Sequence, residues 1–132
     1  MYLSGYTAIS PVVLLDSVIM IDHFNAVPAA TSYLSEMQGK LAISVVTRAE
    51  VLTGFEGKDR RLARQLLDRF PLLIIDRPIA DLAATLRRQN RWKMADALQA
   101  ALARHHKMKL ATRDTDDFPP QRYRFVTVPY RI

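Results

Sequence analysis

The chain has 132 residues, of which 49% are hydrophobic and 24% are charged, so it has the composition of one globular domain and not of a disordered chain. It contains no cysteine, which excludes a disulfide scaffold, a thiolate metal site and a cysteine nucleophile. The formal net charge of +6 is unevenly distributed, with −3 over residues 1–57 and +9 over residues 58–132. This surplus of cations predicts either a polyanionic partner or a solvated arginine-rich surface.

The hydrophobic pattern along the chain predicts alternating strands and helices. Short apolar runs predict buried strands at residues 12–15, 41–46, 72–75, 108–112 and 125–128. Amphipathic segments between them predict helices that begin near residues 17, 28, 47, 59, 78 and 94. Two of these starts carry capping signals, namely a capping-box pattern from Thr47 to Glu50 and an N-cap at Asp59.

This alternation is typical of a single α/β domain with a parallel sheet covered by helices. We expect the domain to span residues 11–132, preceded by residues 1–10 as an N-terminal arm or extension. The longest apolar stretch, residues 11–21, is interrupted by Asp16 and is shorter than the roughly 20 residues of a membrane span. The first ten residues also lack a secretory signal pattern, so we expect a cytoplasmic protein without a membrane partner.

Carboxylates follow several of the predicted strands. In a parallel sheet, ligands bind beyond the carboxyl ends of the strands, where those side chains would meet. The candidates are Asp16 after the first strand, Glu50 one helical turn after the second, Asp96 at the start of the helix before the fourth, and Asp114, Asp116 and Asp117 after the fourth. Four separate segments are therefore predicted to form one acidic pocket in an otherwise basic domain.

Such a pocket favours metal chemistry. Clustered carboxylates repel one another unless a cation neutralises them, and carboxylate oxygens suit Mg²⁺ or Mn²⁺. Two such ions about 3.5–4 Å apart can activate water and stabilise the leaving oxygen of a phosphodiester. Together with the basic surroundings, the pocket predicts metal-assisted cleavage of a nucleic acid.

Each acid also has a purely structural alternative. Asp16 can cap the following turn, Glu50 can complete the capping box, and Asp96 can interact with the helix dipole. The three acids at residues 114–117 can form a turn before Pro119. Outside these segments, Trp92 can stack a base or fill a core or dimer interface, and the His105–His106 pair is expected at a helix end on the surface.

Four short segments resemble the acidic motifs of a known family. The sequences LLDS at residues 14–17, SVVTRAEVL at 44–52, ADAL at 95–98 and TRDTDDF at 112–118 are similar to the four motifs of PIN domains, in particular those of VapC-type toxins. The resemblance implies a three-layer α/β/α domain with a central, mostly parallel sheet of about five strands. It also implies an endoribonuclease toxin that uses Mg²⁺ or Mn²⁺ to cut RNA, a VapB-like antitoxin that inserts a segment into the pocket, and a homodimer.

The resemblance also implies a ligand set for the metal. Asp16, Glu50 and Asp96 match the first three metal-site acids, while Asp114 and Asp117 both match the fourth position. Two alternative functions remain beside that of a ribonuclease. One is a non-catalytic module of the same fold that binds protein or nucleic acid, and the other is a structure-specific DNA nuclease.

Three further positions bear on the match. Ser17 and Thr112 match hydroxyl positions suited to orienting metal-bound water. Val18 stands where many members of the family have Asn, so a secondary polar contact is not expected there.

Overall fold

The domain is built on a five-stranded sheet in which every pair of neighbours is parallel. The computed structural model describes residues 11–132, and the predicted N-terminal arm lies outside the described residues. The strands are β1 (Val13–Leu15), β2 (Leu41–Ser44), β3 (Leu72–Leu73), β4 (Lys109–Ala111) and β5 (Val126–Thr127). They lie in the order β3-β2-β1-β4-β5.

Helices cover both faces of this sheet. They are α1 (Ser17–Phe24), α2 (Pro28–Glu36), α3 (Val45–Thr53), α4 (Gly57–Leu67), α5 (Arg77–Asn90) and α6 (Met94–His105). In the described part of the chain, none of them combines the length and apolar composition that a membrane crossing requires.

The central strand β1 divides the hydrophobic core into two halves. Leu14 is fully buried against α5 and α6, whereas Val13 and Leu15 point to the opposite face and pack with apolar residues of α1 to α4. This alternation follows from the two-residue period of a strand, which sends successive side chains to opposite faces. The predicted three-layer α/β/α architecture is confirmed.

Two predicted helix starts are wrong. Strand β2 ends at Ser44, and the Ser44 hydroxyl accepts a hydrogen bond from the Thr47 amide at 3.0 Å, so Ser44 is the N-cap of α3. The capping box that the sequence suggested between Thr47 and Glu50 therefore does not form, because Thr47 already lies inside the helix. Helix α4 begins at Gly57, which places Asp59 in its first turn and not at the cap.

The strands are also shorter than their apolar runs. Strand β3 was predicted over residues 72–75 but ends at Leu73, and the next side chain, Ile74, is 64% exposed. Because β3 lies at the edge of the sheet, only β2 pairs with it, and the apolar run continues past the last paired residue.

Candidate metal centre

The candidate site lies where the strand order reverses. Starting from β1, the chain adds β2 and β3 on one side of the sheet and then β4 and β5 on the other. The crevice outside the carboxyl ends of the two strands at such a switch point is where open parallel sheets bind ligands. Here β1 leads directly into Asp16 and β4 into Thr112, and the Asp16 amide donates to the Ala111 carbonyl at 2.9 Å.

Three carboxylates meet in this crevice. Asp96, Asp114 and Asp117 each offer an oxygen that lies within 4.8 Å of those of the other two. Asp96 lies in the first turn of α6, and the other two lie in the loop after β4, where the Asp117 amide donates to Asp114 Oδ1 at 3.3 Å. Both acids that match the fourth motif are therefore in the cluster.

Asp16 lies beside this cluster and is buried, with 8% of its surface exposed. Its Oδ1 accepts from the Ser17 amide at 2.9 Å, and its Oδ2 accepts from Thr112 Oγ1 at 2.7 Å. The structural alternative for Asp16 is thus correct, since it is the N-cap of α1. The same carboxylate is joined to the cluster through Thr112, whose hydroxyl donates to Asp16 and accepts from the Asp114 amide at 3.0 Å.

Glu50 lies at the rim of the crevice. It is exposed on α3, and its Oε1 accepts a hydrogen bond from the Ser17 hydroxyl. The negative charge of Glu50 contributes to the raised pKa of Asp16, so the two carboxylates are close enough to interact. Glu50 is not among the three acids whose oxygens approach within 4.8 Å.

Asp116 lies outside the site. Its side chain is exposed, and it does not belong to the group formed by Asp96, Asp114 and Asp117. This placement agrees with the sequence, in which Asp116 matched no motif position as well as its neighbours did.

Burial and mutual repulsion raise the pKa values of three of these acids. Burial, followed by the charges of Asp117 and Asp16, raises the pKa of Asp96 to about 7. Burial and the charge of Asp114 also raise the pKa of Asp117. Burial likewise raises the pKa of Asp16 against the effect of its hydrogen bonds.

No cationic side chain among residues 11–132 forms an ion pair with the cluster. Arg113 lies between Thr112 and Asp114 in sequence, but its guanidinium binds Asp22, with Nη2 at 2.8 Å from Oδ1. Tyr130 donates to the other oxygen of Asp22 at 2.7 Å, and the Arg113 hydrogen bond lowers the pKa of Asp22.

The donor set therefore fits a hard divalent cation. It consists of carboxylate oxygens, which Mg²⁺ and Mn²⁺ prefer, and the nearest arginine in sequence is bound elsewhere. The structure supports no such site around the two adjacent histidines. His105 and His106 are exposed at the far end of α6, nine or more residues from Asp96, or about 14 Å along the helix axis.

Gln99 is a site residue that the sequence reasoning missed. It is 1% exposed, and its Nε2 donates to Thr47 Oγ1 at 2.8 Å and to Asp16 Oδ1 at 3.4 Å, while its Oε1 accepts from Ser44 Oγ at 2.6 Å. It thus joins α6 to the N-terminus of α3 and to Asp16. The signal that could have identified it is a polar residue among the alanines and leucines of α6, one turn after Asp96.

The hydroxyl groups of Ser17 and Thr112 hold the acids. Ser17 donates to Glu50, and Thr112 donates to Asp16 while accepting from the Asp114 amide at 3.0 Å. Both hydroxyl groups therefore donate to carboxylates, whereas the resemblance implied that they orient metal-bound water.

Trp92 has the core role that the sequence left open. It is 6% exposed, packs against Phe118 and Tyr123, and its indole Nε1 donates to the Asp117 carbonyl at 2.9 Å. It thereby fixes the backbone of a cluster acid.

Residues 13–121 match the model of the PIN domain. The chain belongs to the PIN-domain family. It is 36% identical over 114 residues to Ribonuclease VapC10 of Mycobacterium tuberculosis, covering 81% of this chain and 86% of the relative.

Solved structures of other proteins superpose on the chain. A toxin–antitoxin complex from Klebsiella pneumoniae matches with a TM-score of 0.84 and 32% identity, over 91% of this chain and 99% of that chain. FitAcB from Neisseria gonorrhoeae matches with a TM-score of 0.75 at 24% identity, over 91% and 99%, and supports the fold alone.

The raised pKa of Asp96 predicts how stability depends on pH. Without divalent ions, the folded protein keeps a proton on Asp96 at pH values where the unfolded chain, with an ordinary pKa of 3.8, has lost it. The contribution of this proton to the free energy of unfolding is fully present below about pH 4 and is lost as the pH rises through about 7. We therefore expect Asp96→Asn to raise the melting temperature in chelator, by an amount that grows from pH 5 to pH 8.

The matched control for this experiment is Asp116→Asn, which removes an exposed acid of the same acidic stretch. Its melting temperature should follow the parent at every pH. If the melting temperatures of Asp96→Asn and Asp116→Asn differed from that of the parent by the same amount at every pH, Asp96 would not be the acid whose pKa is raised.

Replacement of Gln99 tests the buried network. Gln99→Leu removes a hydrogen-bond donor to Asp16 and a partner of Ser44 and Thr47, and we expect a loss of about 1–3 kcal/mol in the free energy of unfolding. By the usual effect of groups that orient metal ligands, Mn²⁺ affinity should fall roughly 10–100-fold. Calorimetric titration measures the affinity, with exposed Gln38→Leu as the control. Unchanged affinity in Gln99→Leu would contradict the positioning role.

Proposed function

We propose that this protein is an endoribonuclease toxin that depends on Mg²⁺ or Mn²⁺, hydrolyses RNA phosphodiester bonds and is neutralised by a VapB-like antitoxin. The observation that carries the proposal is the cluster of Asp96, Asp114 and Asp117 beside Asp16, at the switch point of the sheet. The relationship to Ribonuclease VapC10 supports RNA as the substrate. The likeness to a toxin–antitoxin complex supports the partner.

The proposed ligand set is Asp16, Glu50, Asp96, Asp114 and Asp117. The first of these is held by hydrogen bonds to both oxygens, and the last three already lie within reach of a shared ion. When bound there, a divalent ion would supply a Lewis acid for the phosphoryl oxygen and would lower the pKa of a water molecule. The residues of the chain orient these acids, and the proton on Asp96 must leave before its carboxylate can bind an ion.

The same crevice is suited to a cationic segment of an antitoxin. Its carboxylates have no ion-pair partner among residues 11–132, and an arginine inserted there would compete with the metal for the same oxygens. We further propose that residues 11–132 act as one domain, that two copies form a homodimer, and that the protein works in the cytoplasm, where its RNA substrate is found.

Cleavage of RNA tests the proposal directly. The purified parent should cut single-stranded RNA in Mg²⁺ or Mn²⁺, and chelation should abolish the cutting. We expect Asp96→Asn to lower the rate at least about 100-fold, as expected for loss of a group that stabilises charge in the transition state. Asp116→Asn should keep the parent rate, and Asp114→Asn compared with Asp117→Asn shows which acid contributes more.

Several outcomes would contradict the proposal. Equal cleavage by the parent and by Asp96→Asn would show that another group or a contaminant cuts the RNA. Binding of RNA without any cleavage in either metal would favour a non-catalytic module, and faster cleavage of branched DNA than of RNA would favour a DNA nuclease.

A further inference from the structure

A group of arginines lies at the C-terminal end of α5. Arg87, Arg88 and Arg91 line a shallow depression of about 750 Å³, together with Ala84 and Thr85. We call these three arginines, with Lys93 in the following turn, the arginine shelf. All four cationic side chains are exposed, and no acidic residue lines the depression.

The positive charge of the shelf is not neutralised within residues 11–132. The two ion pairs of the described chain join Arg48 to Asp68 and Arg113 to Asp22, and neither involves the shelf. The three arginines line one depression, where their like charges repel one another, so a polyanion bound here would reduce that repulsion. Guanidinium groups also bind phosphate through two parallel hydrogen bonds, which suits them to a phosphodiester backbone.

Direct contacts connect the shelf to the metal centre. Arg87 Nε donates to the Trp92 carbonyl at 3.2 Å, and the Trp92 indole donates to the Asp117 carbonyl at 2.9 Å. Lys93 is the N-cap of α6, three residues before Asp96. The short turn between α5 and α6 therefore connects the shelf to the helix that carries Asp96 and, through Trp92, to the backbone of Asp117.

We propose that the arginine shelf binds the phosphates of the RNA strand next to the scissile bond, so that the strand runs across the shelf into the metal centre. This inference rests on the proposed function and names the surface that holds its substrate. A polyanion fits both parts at once, because its flanking phosphates meet fixed cations while the reacting phosphate meets the metal. An arginine-bearing antitoxin segment would fit the acids but would be repelled by the shelf.

Binding of RNA to an inactive protein tests the shelf without reference to cleavage. In an Asp96→Asn background, we compare Arg88→Gln/Arg91→Asn with Arg60→Gln/Arg61→Gln, which neutralises two exposed arginines of α4. Arg91 has a φ of 59°, and asparagine adopts this left-handed conformation more readily than most residues, so the shelf variant should fold. Arg87 is left in place because it supports Trp92.

The measurement is fluorescence anisotropy of a short single-stranded RNA at several salt concentrations. Loss of two phosphate contacts should weaken binding equally for different RNA sequences and reduce the slope of log affinity against log salt by about 1.4, at roughly 0.7 per contact. In the catalytically competent protein, the same change should raise KM for a long RNA, leave kcat unchanged, and leave cleavage of a dinucleotide unaffected. The α4 control should match its background in both assays.

The outcomes separate this inference from the proposed function. Equal affinity and salt slope in the shelf variant and the α4 control would overturn the inference, even if the parent cleaves RNA. An effect of the shelf variant on antitoxin binding alone, with RNA binding unchanged, would also overturn it. A parent that binds RNA through the shelf but never cleaves it would contradict the proposed function and leave the shelf as an RNA-binding surface.

Discussion

The burial of mutually repelling carboxylates in one crevice is the constraint on which the metal centre depends. Asp16, Asp96, Asp114 and Asp117 are brought to one crevice without an ion-pair partner among residues 11–132. Such an arrangement costs stability, and the fold sustains it because each acid is held by groups that cannot easily move away. Asp16 caps a helix, Asp96 is built into the first turn of another, and Asp117 is tied through its backbone to the buried Trp92.

The polar groups around the acids divide into those that hold the site and those that keep it negative. Gln99 and Thr112 connect Asp16 to the neighbouring elements, so the position of one carboxylate depends on α6, α3 and the loop after β4. The ion pair between Arg113 and Asp22 keeps the crevice negative, because it holds the nearest arginine in sequence away from the crevice. A net charge of +6 thus coexists with a local site that requires a cation.

The sequence predicted the sheet and the two helical layers, because both depend on hydrophobic patterns that repeat along the chain. The meeting of the acidic segments was predicted on a different ground, since residues that follow parallel strands share one edge of the sheet. It failed where one side chain competed with another for the same role. Ser44 took the N-cap that the pattern assigned to Thr47, and this left Glu50 free to accept from Ser17. Gln99 was missed because its partners come from segments more than 50 residues away, a distance that no local pattern covers.

The basic half of the chain, residues 58–132, contains the arginine shelf. Its arginines at the end of α5 are linked to Asp117 through Arg87 and Trp92, so the molecule presents cations beside a cation-binding crevice. This pairing would attract a polyanion to the surface and allow one of its phosphates to approach acids that would otherwise repel it.

Anomalous diffraction from crystals soaked in Mn²⁺ tests the central claim most directly, since it locates the ion without reference to activity. We expect a peak in the crevice, at the roughly 2.1 Å ligand distance of a small divalent ion, from an oxygen of Asp96 and from an oxygen of Asp114 or Asp117. The same peak should be absent from crystals of Asp96→Asn. A fully soaked parent crystal with no peak at these carboxylates, or with its peak elsewhere, would contradict the account.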